Sequence, residues 1–205
     1  PPTARRPRAG GGAAPALNLG GSSNITVTGD SLSAYDIGPA NALMDAVIVE
    51  HQLNSFGYDD DARIARSGVV DLQLLAAFLE DPYYALPAPK STGKEHFHLG
   101  YVHRHVAALG RDVRPADLVA TLAELTVHTV ASAVRRERVD FLAVSGGGCR
   151  NPLLMSGLRA ALTGVTIVLT DELGAPADTK EAILVALIGW CTFHGVPAIV
   201  PGGTG

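Results

Sequence analysis

The sequence has little cysteine and no excess of basic residues. Its 205 residues include two cysteines, Cys149 and Cys191, which are too few for a disulfide framework and lack the spacing of metal ligands. The net charge is -4 and the isoelectric point is about 5.9. Because proteins that bind nucleic acid usually present a basic surface, this charge argues against a nucleic-acid partner.

A long hydrophobic run is also missing. The most apolar run, residues 182–191, is far shorter than the roughly 20 residues that cross a bilayer, so no membrane partner is expected. The opening residues contain no apolar segment of the kind found in secretory signals. A reducing cytoplasm is the simplest location for such a chain.

The composition predicts one domain or one large lobe. With 47% hydrophobic and 18% charged residues, the chain has the composition of a globular protein and is long enough to bury a core. Residues 1–16, rich in Pro, Gly and Ala, are predicted to be a disordered leader, and residues 17–205 to form the folded lobe. The chain begins with Pro1 rather than Met, and its first recognisable element looks like the middle of a fold, which suggests a fragment.

Strand patterns and helix patterns alternate along the chain, which predicts an α/β fold with a mixed or parallel sheet. Residues 16–28 predict two strands joined by a Gly-Gly turn, and residues 115–138 predict a long helix. The last third predicts a strand, a glycine turn and a helix, then a further strand and a helix that ends at Gly195.

Two acidic residues lie where a helix is predicted to begin. Residues 36–39 predict a short turn before an amphipathic helix, with Pro39 in its first turn. Asp36 would then be either the cap of that helix or a ligand of a Mg²⁺-bound water beside a phosphate. Residues 178–181 resemble a capping box, so Glu181 is equally a capping residue or a ligand contact.

Two glycine corners are candidates for holding an anionic group. Gly20 and Gly21 form either a plain hairpin turn or a nest of backbone amides. The turn of Gly146, Gly147 and Gly148 follows a strand and precedes a helix, which is where open α/β sheets bind ligands. Because it matches neither the dinucleotide-binding nor the Walker pattern, a tight turn is an equal alternative.

Two polar clusters have less specific patterns. The first lies in a loop interrupted by prolines, and we expect it to be a solvated loop rather than a ligand contact. The second is a group of histidines that suggests a metal site, but it lacks cysteine or carboxylate partners at suitable spacing, so surface or partly buried histidines are favoured. The first cluster comprises Lys90, Ser91, Thr92 and Glu95, and the second comprises His96, His98, His103 and His105.

Taken in order, the motifs resemble those of one family, the anhydro-N-acetylmuramic acid kinases, which belong to the superfamily of actin-like ATPases, sugar kinases and heat-shock chaperones. The matching blocks run from about residue 17 to the C-terminus and are NLGGSSNITV, YDIGPANALMDAVI, PAPKSTGKEHF, VSGGGCRNPLLM, LGAPADTKEAILVALIG and VPGGTG. Any one block would be weak, whereas the ordered series is specific. The resemblance implies the C-terminal lobe of an actin-like, ribonuclease-H-like fold, with a mixed sheet flanked by helices.

The resemblance also implies an activity. It implies a kinase that uses ATP, Mg²⁺ and water to convert 1,6-anhydro-N-acetylmuramic acid, a sugar from recycled peptidoglycan, into N-acetylmuramic acid 6-phosphate, with this chain as the ATP-binding half. The implied ATP contacts are Gly20, Gly21, Asn24, Gly146, Gly147, Gly148 and Asn151. The implied active-site turn and sugar pocket comprise Asp36, Gly38, Asn41 and Glu181, and Asp36 is the expected nearest partner of Mg²⁺.

The chain departs from the family pattern in sequence and in length. Ser22 and Ser23 stand where Ile-Ala is usual, Ile37 where Thr is usual, and Ala40 where Gly is usual. Family members are nearly twice as long, and their upstream half is expected to carry the first phosphate loop and the general base, so no catalytic base is assigned here.

Three alternatives to a complete enzyme follow from the missing half. The chain could be an ATP-binding half that is inactive alone and works with a separate N-terminal lobe, or it could form a homodimer. In either case the missing lobe should leave apolar surface exposed. A chaperone-like ATPase is a third, disfavoured interpretation, because PKSTGKE and DIGPAN look specific to the muramic acid kinases.

Overall fold

The structure, a computed structural model, describes residues 14–28, 32–174 and 179–198, so residues 1–13 of the predicted leader lie outside the described residues. The described strands are β1 (Ala16–Leu19), β2 (Ser22–Thr28), β3 (Leu32–Pro39), β4 (Phe141–Ser145) and β5 (Thr166–Leu169). They form a five-stranded sheet in the order β3-β2-β1-β4-β5.

The sheet is mixed, as the resemblance implies. β1 pairs with β2 and β2 with β3 in antiparallel fashion, whereas β1 pairs with β4 and β4 with β5 in parallel. The parallel strands are connected through helices, which parallel pairing requires. The expected α/β fold, with a mixed sheet flanked by helices, is therefore confirmed.

Seven α-helices lie in the described part of the chain. Two of the longest, predicted from the sequence, are confirmed, including the last helix, which ends at Gly195 with a φ of 65°. The helices are α1 (Asn41–Glu50), α2 (Arg63–Ser67), α3 (Leu72–Leu79), α4 (Leu99–Ala108), α5 (Pro115–Glu137), α6 (Pro152–Ala161) and α7 (Lys180–His194).

Helix α5 forms the centre of the core. It packs against β3 and against α1, α2, α3 and α6, and Val119, Leu125 and Val130 are completely buried. Among the described residues, α5 is long and apolar enough to cross a membrane, but 78% of its most apolar window is buried inside the protein. Its apolar character is therefore that of a core helix.

The predicted hairpin is confirmed, and its alternation decides which side chains face the core. Leu17 and Leu19 of β1 and Ile25 of β2 are fully buried, and the residues between them point to the other face of the sheet. Leu19 pairs with Ser23, so Gly20 and Gly21 form the connection between the strands.

The predicted turn at residues 36–39 is wrong, because these residues belong to β3. Asp36 pairs with Asn24 in β2, and the flanking Tyr35 and Ile37 are buried against the helices. Helix α1 begins at Asn41, so Asp36 is not its cap and Pro39 is not in its first turn. Pairing with β2 outweighs the local turn preference of Asp, Gly and Pro here, because sheet pairing is set by tertiary context.

Candidate functional site

The two glycine corners lie against each other. Gly146 has a φ of +97°, and a Cβ atom on it would lie 2.5 Å from the Leu19 carbonyl oxygen. A Cβ on Gly148 would lie 2.8 Å from the Leu19 Cβ. Only glycine allows so close an approach of two backbones, so these two glycines hold the β4 turn against the hairpin.

Gly147, between them, has open space. The nearest atom to a Cβ on Gly147 would be Asn41 Nδ2, at 3.8 Å. The two interpretations of this turn, tight packing and ligand binding, therefore apply to different residues. Gly146 and Gly148 serve close packing, while Gly147 is the glycine that a ligand can approach.

The hairpin corner turns its carbonyl groups towards the start of α1. Gly21 O accepts hydrogen bonds from Ala40 N at 2.9 Å and Ala42 N at 3.0 Å, and Gly20 O accepts one from Asn41 N at 3.1 Å. The Gly20 N–H donates to Ser22 O within the turn, at 3.1 Å. Of the two amides that a nest would use, the Gly20 N–H is therefore engaged within the turn.

A cavity of about 310 Å³ opens beside Gly147. It brings together Gly147, Asn151 and Asn41, three of the predicted site residues. Its other walls were not predicted from the sequence. These walls are Met44, Asp45, Tyr58, Asp59, Asp60, Asp61 and Arg150.

Asn151, at the edge of this cavity, also caps a helix. It is the N-cap of α6, and its Oδ1 accepts hydrogen bonds from Leu153 N at 3.0 Å and Leu154 N at 3.2 Å. The side chain is 7% exposed. Its amide nitrogen is the group that remains for a ligand, because the oxygen already serves the helix.

Replacing Asn151 by Asp should separate capping from ligand binding. Aspartate keeps the cap and suits a helix N-terminus, so the free energy of unfolding should change by less than about 0.5 kcal/mol. The amide donor is lost and a negative charge faces the cavity, so the affinity for ATP, the ligand that the family resemblance implies, should fall at least about tenfold when measured by calorimetry. Asn151→Ala is the control that also loses the cap, and unchanged ATP affinity in Asn151→Asp would restrict this residue to capping.

A row of polar residues crosses four strands next to the glycine corners. Asp36 pairs with Asn24, Asn24 with Asn18, and Asn18 with Ser145. Residues paired in this way share a sheet face, and this face is opposite to that of Leu17 and Leu19 in the helical layer. The row places the predicted residues Asp36 and Asn24 side by side and adds two that were not assigned.

Loop residues hold Asp36 in place. Asp36 Oδ2 accepts hydrogen bonds from Thr92 N at 3.0 Å and Ser91 Oγ at 3.2 Å, and Asp36 N donates to Lys90 O at 3.0 Å. Tyr83 Oη donates to Asp36 O at 2.7 Å. These contacts leave Oδ1 as the carboxylate oxygen for which the described residues supply no bond.

The expectation of a solvated loop is therefore wrong for Lys90. Its side chain is 7% exposed, and its Nζ donates to Tyr83 O at 2.9 Å while lying 4.3 Å from the centre of the Tyr83 ring. Burial lowers the pKa of Lys90, and the charge of Arg136 lowers it further. The loop is fixed because a buried ammonium needs these partners.

The departures from the family pattern are accommodated locally. Ser23 Oγ donates to Gly38 O at 3.1 Å, and Ile37 is 3% exposed in the core. At Ala40 the φ is -128° and the ψ is -107°, and the Ala40 N–H donates to Gly21 O at 2.9 Å. Gly38 itself packs on an aromatic ring, since a Cβ there would lie 2.8 Å from Tyr84 Cε1.

A second and larger cavity, of about 780 Å³, lies on the other side of α1. It is bounded by Gly21 of the hairpin, by Ala42 and Ala46 of α1, and by Phe97 near α4. Asp45 borders both cavities. Helix α1 thus separates the cavity beside Gly147 from the cavity beside Gly21.

Asp45 is a half-buried carboxylate at this wall. Burial raises its pKa to about 6, and the charge of Asp59 raises it further in the same direction. A carboxyl group whose pKa is raised by folding favours the folded state below its unfolded pKa and loses that contribution as the pH rises through its folded pKa. The protein should therefore lose stability from Asp45 between about pH 4 and pH 7.

Asp45→Asn should remove this pH dependence. At pH 7.5 the variant should be more stable than the wild type by about 1 kcal/mol, a value that allows for solvent screening of a half-exposed group, and at pH 4 the two should be equal. Urea unfolding at both pH values measures the difference. Asp112→Asn, at an exposed site before α5, is the control, and a gain that is the same at both pH values would contradict the assignment.

The histidine cluster is divided among separate local partners. His96 contacts Asp81 at 3.0 Å, His103 contacts Glu50 at 3.0 Å, and His98 caps α4 through Nδ1, which accepts from Gly100 N. Within the described residues, no group of three or more His, Cys, Asp or Glu residues is arranged to hold a metal ion. Glu181 lies in α7, but its side chain and Asp178 are outside the described residues.

The sequence is similar to those of one family of known proteins. The family model for anhydro-N-acetylmuramic acid kinase matches residues 8–205. A relative with that name from Streptomyces coelicolor is 50% identical over 192 residues, which is 93% of this chain and 49% of the relative. One from Rhodococcus erythropolis is 42% identical over 201 residues, 93% of this chain and 50% of the relative. The chain thus spans about half the length of these relatives.

A solved structure is more distantly similar. An activator of 2-hydroxyisocaproyl-CoA dehydratase from Clostridium difficile, with bound ADPNP, is 13% identical and has a TM-score of 0.44 over 82% of this chain and 56% of its own. That likeness is too low to carry an argument. The match of the family model over nearly the whole chain does carry one: this chain belongs to the anhydro-N-acetylmuramic acid kinase family.

Proposed function

We propose that this chain is the nucleotide-binding half of a cytoplasmic, ATP-dependent kinase that converts 1,6-anhydro-N-acetylmuramic acid into N-acetylmuramic acid 6-phosphate during peptidoglycan recycling. The relatives carry the name of that kinase, and the chain covers about half of each. The observation that supports the proposal most directly is the contact of the Gly146 turn with the hairpin at Leu19, beside a cavity that Gly147, Asn41 and Asn151 line.

The cavity beside Gly147 suits the nucleoside part of ATP. Gly147 offers backbone that a ligand can approach, and Tyr58, which is 50% exposed, offers an aromatic ring at the opposite wall. Ligands of open α/β sheets bind beyond the carboxyl ends of the strands, which is where the β4 turn lies. The phosphates would then extend towards the Gly21 amide and the polar row.

The reaction requires two coupled displacements. A water oxygen bonds to the anomeric carbon while the bridge between that carbon and the sugar O6 breaks, and O6 takes the γ-phosphoryl group as ADP leaves. The attacking water gives its proton to a general base. The part played by this chain would be to position ATP and to neutralise charge, which are the main contributions to phosphoryl transfer.

Asp36 is the residue that would hold Mg²⁺, through a bound water. Asp36 Oδ2 is engaged by Thr92 N and Ser91 Oγ, which leaves one carboxylate oxygen, Oδ1, for which the described residues supply no bond. Because Mg²⁺ usually keeps several waters and is bound by one or two carboxylates plus substrate phosphates, one such oxygen is compatible with an outer-sphere role. The ion would supply neutralisation of phosphate charge.

The alternative is that the chain binds ATP but does not catalyse phosphorylation without an upstream lobe. Its coverage of about half of each relative supports this alternative. Such a lobe would supply the first phosphate loop and the base that were not found in this sequence. The two proposals differ in what the isolated chain can do.

Calorimetry and a phosphorylation assay together test both proposals. We expect the 205-residue chain to bind ATP in the presence of Mg²⁺, and a fusion of it to the uncovered upstream half of the Streptomyces coelicolor relative to phosphorylate the anhydro sugar. Phosphorylation by the isolated chain at the rate of the fusion would refute the incomplete half. Failure of the fusion to bind ATP would refute the kinase proposal itself.

A further inference from the structure

A further cavity, of about 330 Å³, lies on the helical side of β3. Tyr35 and Ile37, which flank Asp36 in β3, line it, and successive strand residues point to opposite faces of a sheet. Helix α5 lines it as well, through Thr129 and Ala133. Strand β3 therefore separates this cavity from the Asp36 carboxylate and the polar row. Its volume is at the lower end of the range of small-molecule sites.

The charged side chains at this cavity are basic. None of the described residues that line it is Asp or Glu, although the whole chain has a net charge of -4. A concave surface lined by charges of one sign concentrates ligands of the opposite sign. The cavity is therefore suited to an anion. Its basic and titratable nitrogen groups belong to Lys90, His128, Arg135 and Arg136.

Lys90 and Arg136 have positive charges that no carboxylate balances within the described residues. An ammonium has three N–H donors, and Tyr83 O accepts one from Lys90 Nζ at 2.9 Å. Lys90 is 7% exposed, whereas Arg136 is exposed at the end of α5. The arginine ion pairs of the described residues are formed instead by Arg63, Arg66, Arg111 and Arg114.

The other charged groups around the cavity already have partners. Glu137 Oε1 accepts a hydrogen bond from Tyr35 Oη at 2.7 Å, and Glu124 Oε1 lies 3.2 Å from His128 Nε2. Arg135 Nη2 donates to Ala161 O at 2.6 Å, so this guanidinium is directed towards the end of α6. Lys90 and Arg136 are therefore the two cations that remain for a ligand.

The electrostatics of Lys90 support this assignment. Burial lowers the pKa of Lys90, and the positive charge of Arg136 lowers it further. Two cations that repel each other in a partly closed space are both stabilised when an anion binds between them, since an opposite charge favours the charged form. The same cavity would be unfavourable for a cation.

We propose that this cavity is a binding site for a small phosphate-bearing molecule, held by Lys90 Nζ and the Arg136 guanidinium. Arg and Lys form short, charge-assisted hydrogen bonds to phosphate oxygens. Ser132 also lines the cavity and precedes Arg136 by four residues on α5, so both side chains lie on the same face of the helix. The site differs from the nucleotide cavity beside Gly147, and the proposal does not depend on kinase activity.

Calorimetry on the 205-residue chain at constant ionic strength tests the site, with inorganic phosphate and glucose 6-phosphate as probes. Arg136→Gln should lower the affinity for both probes at least about tenfold, because a charge-assisted contact is lost. The variant should remain folded, because Arg136 is exposed. Tighter binding of glucose 6-phosphate would identify a phosphorylated organic ligand, and equal affinities would identify free phosphate. Either result supports the site.

Arg159→Gln is the matched control. Arg159 is exposed in the last turn of α6, as Arg136 is in the last turn of α5, so both substitutions remove the same charge from similar positions. The control should bind both probes as the wild type does. Equal losses in the two variants would overturn the proposal, because the attraction would then be non-specific, and so would the absence of binding by either probe.

An Asn151→Asp variant distinguishes this site from the nucleotide cavity. Phosphate affinity that falls in Asn151→Asp but not in Arg136→Gln would place the probe beside Gly147 and overturn the proposal. The nuclear magnetic resonance signals of the Ser132 and Ala133 amides give a second, independent measurement, since both residues line the cavity. They should shift when phosphate is added, and unchanged signals at saturating phosphate would also overturn the proposal. The kinase proposal is unaffected by any of these results.

Discussion

Gly146→Ala is expected to unfold or severely weaken the lobe. The added methyl group would lie 2.5 Å from the carbonyl oxygen and 2.7 Å from the carbonyl carbon of Leu19, and backbone atoms cannot move aside as a flexible side chain can. β1 and β4 would have to separate at the point where they pair. We expect a loss of more than about 3 kcal/mol in the free energy of unfolding, measured by urea denaturation.

Gly164→Ala separates steric overlap from backbone strain. Gly164 has a φ of +95°, close to the +97° of Gly146, but a Cβ there would meet nothing within 4 Å. It should therefore show only the cost of the unfavourable backbone conformation, about 1–2 kcal/mol. If the two variants lose the same stability, the contact with Leu19 has no energetic importance.

Gly146→Ala should also weaken nucleotide binding. Movement of the β4 turn displaces Gly147 and Asn151 from the cavity they share with Asn41. In any folded fraction of Gly146→Ala, we expect ATP affinity to fall about a hundredfold or more, which corresponds to about 2.7 kcal/mol. Gly164→Ala should bind ATP as the wild type does, and calorimetry compares them.

Asp36→Asn is expected to have the largest effect on activity in the fused kinase. Asparagine can keep an oxygen in the position that accepts from Ser91 and Thr92, so the local structure should be retained while the negative charge is lost. We expect the turnover number to fall by about 10²- to 10⁴-fold with little change in stability. Asp112→Asn, which removes an exposed carboxylate before α5, is the control.

The form of the Asp36→Asn defect identifies the role of the residue. A shift to higher Mg²⁺ concentration for half-maximal rate supports the predicted contact with Mg²⁺-bound water. An unchanged Mg²⁺ dependence together with loss of the acidic limb of the pH–rate profile would instead make Asp36 the general base, and the expectation of a base in the upstream half would be wrong. An unchanged rate would remove Asp36 from the reacting groups.

Part of the candidate site was predictable from local sequence. The glycine turn between β4 and a helix and the Gly-Gly hairpin follow from short-range preferences, and each lies where it was predicted. The position of Asp36 in a strand was not predictable in this way. The Asp, Gly and Pro of residues 36–39 favour a turn, but pairing of Asp36 with Asn24 makes Asp36 a strand residue.

Tyr58, Asp45 and Arg150 were missed for a different reason. Asp45 lies on α1, Tyr58 in the loop that follows α1 and Arg150 after the β4 turn, and they line one cavity only because these segments pack together. The buried state of Lys90 was missed likewise, because its partner, the Tyr83 carbonyl, is provided by the fold of the loop. A sequence pattern indicates the local conformation that a residue prefers. The walls of a cavity depend instead on which elements pack against each other.

By itself, the sequence determined the alternation of strands and helices, the two glycine corners and the family to which the chain belongs, because these depend on residue types at short spacing. The tertiary structure alone decided that the corners touch at Gly146 and Leu19, that Asp36 joins a row reaching Ser145, and that α7 is left uncovered. The physical reason is that register, close approach and burial are properties of residues far apart in the chain, and they become fixed only when the sheet and the helices pack together.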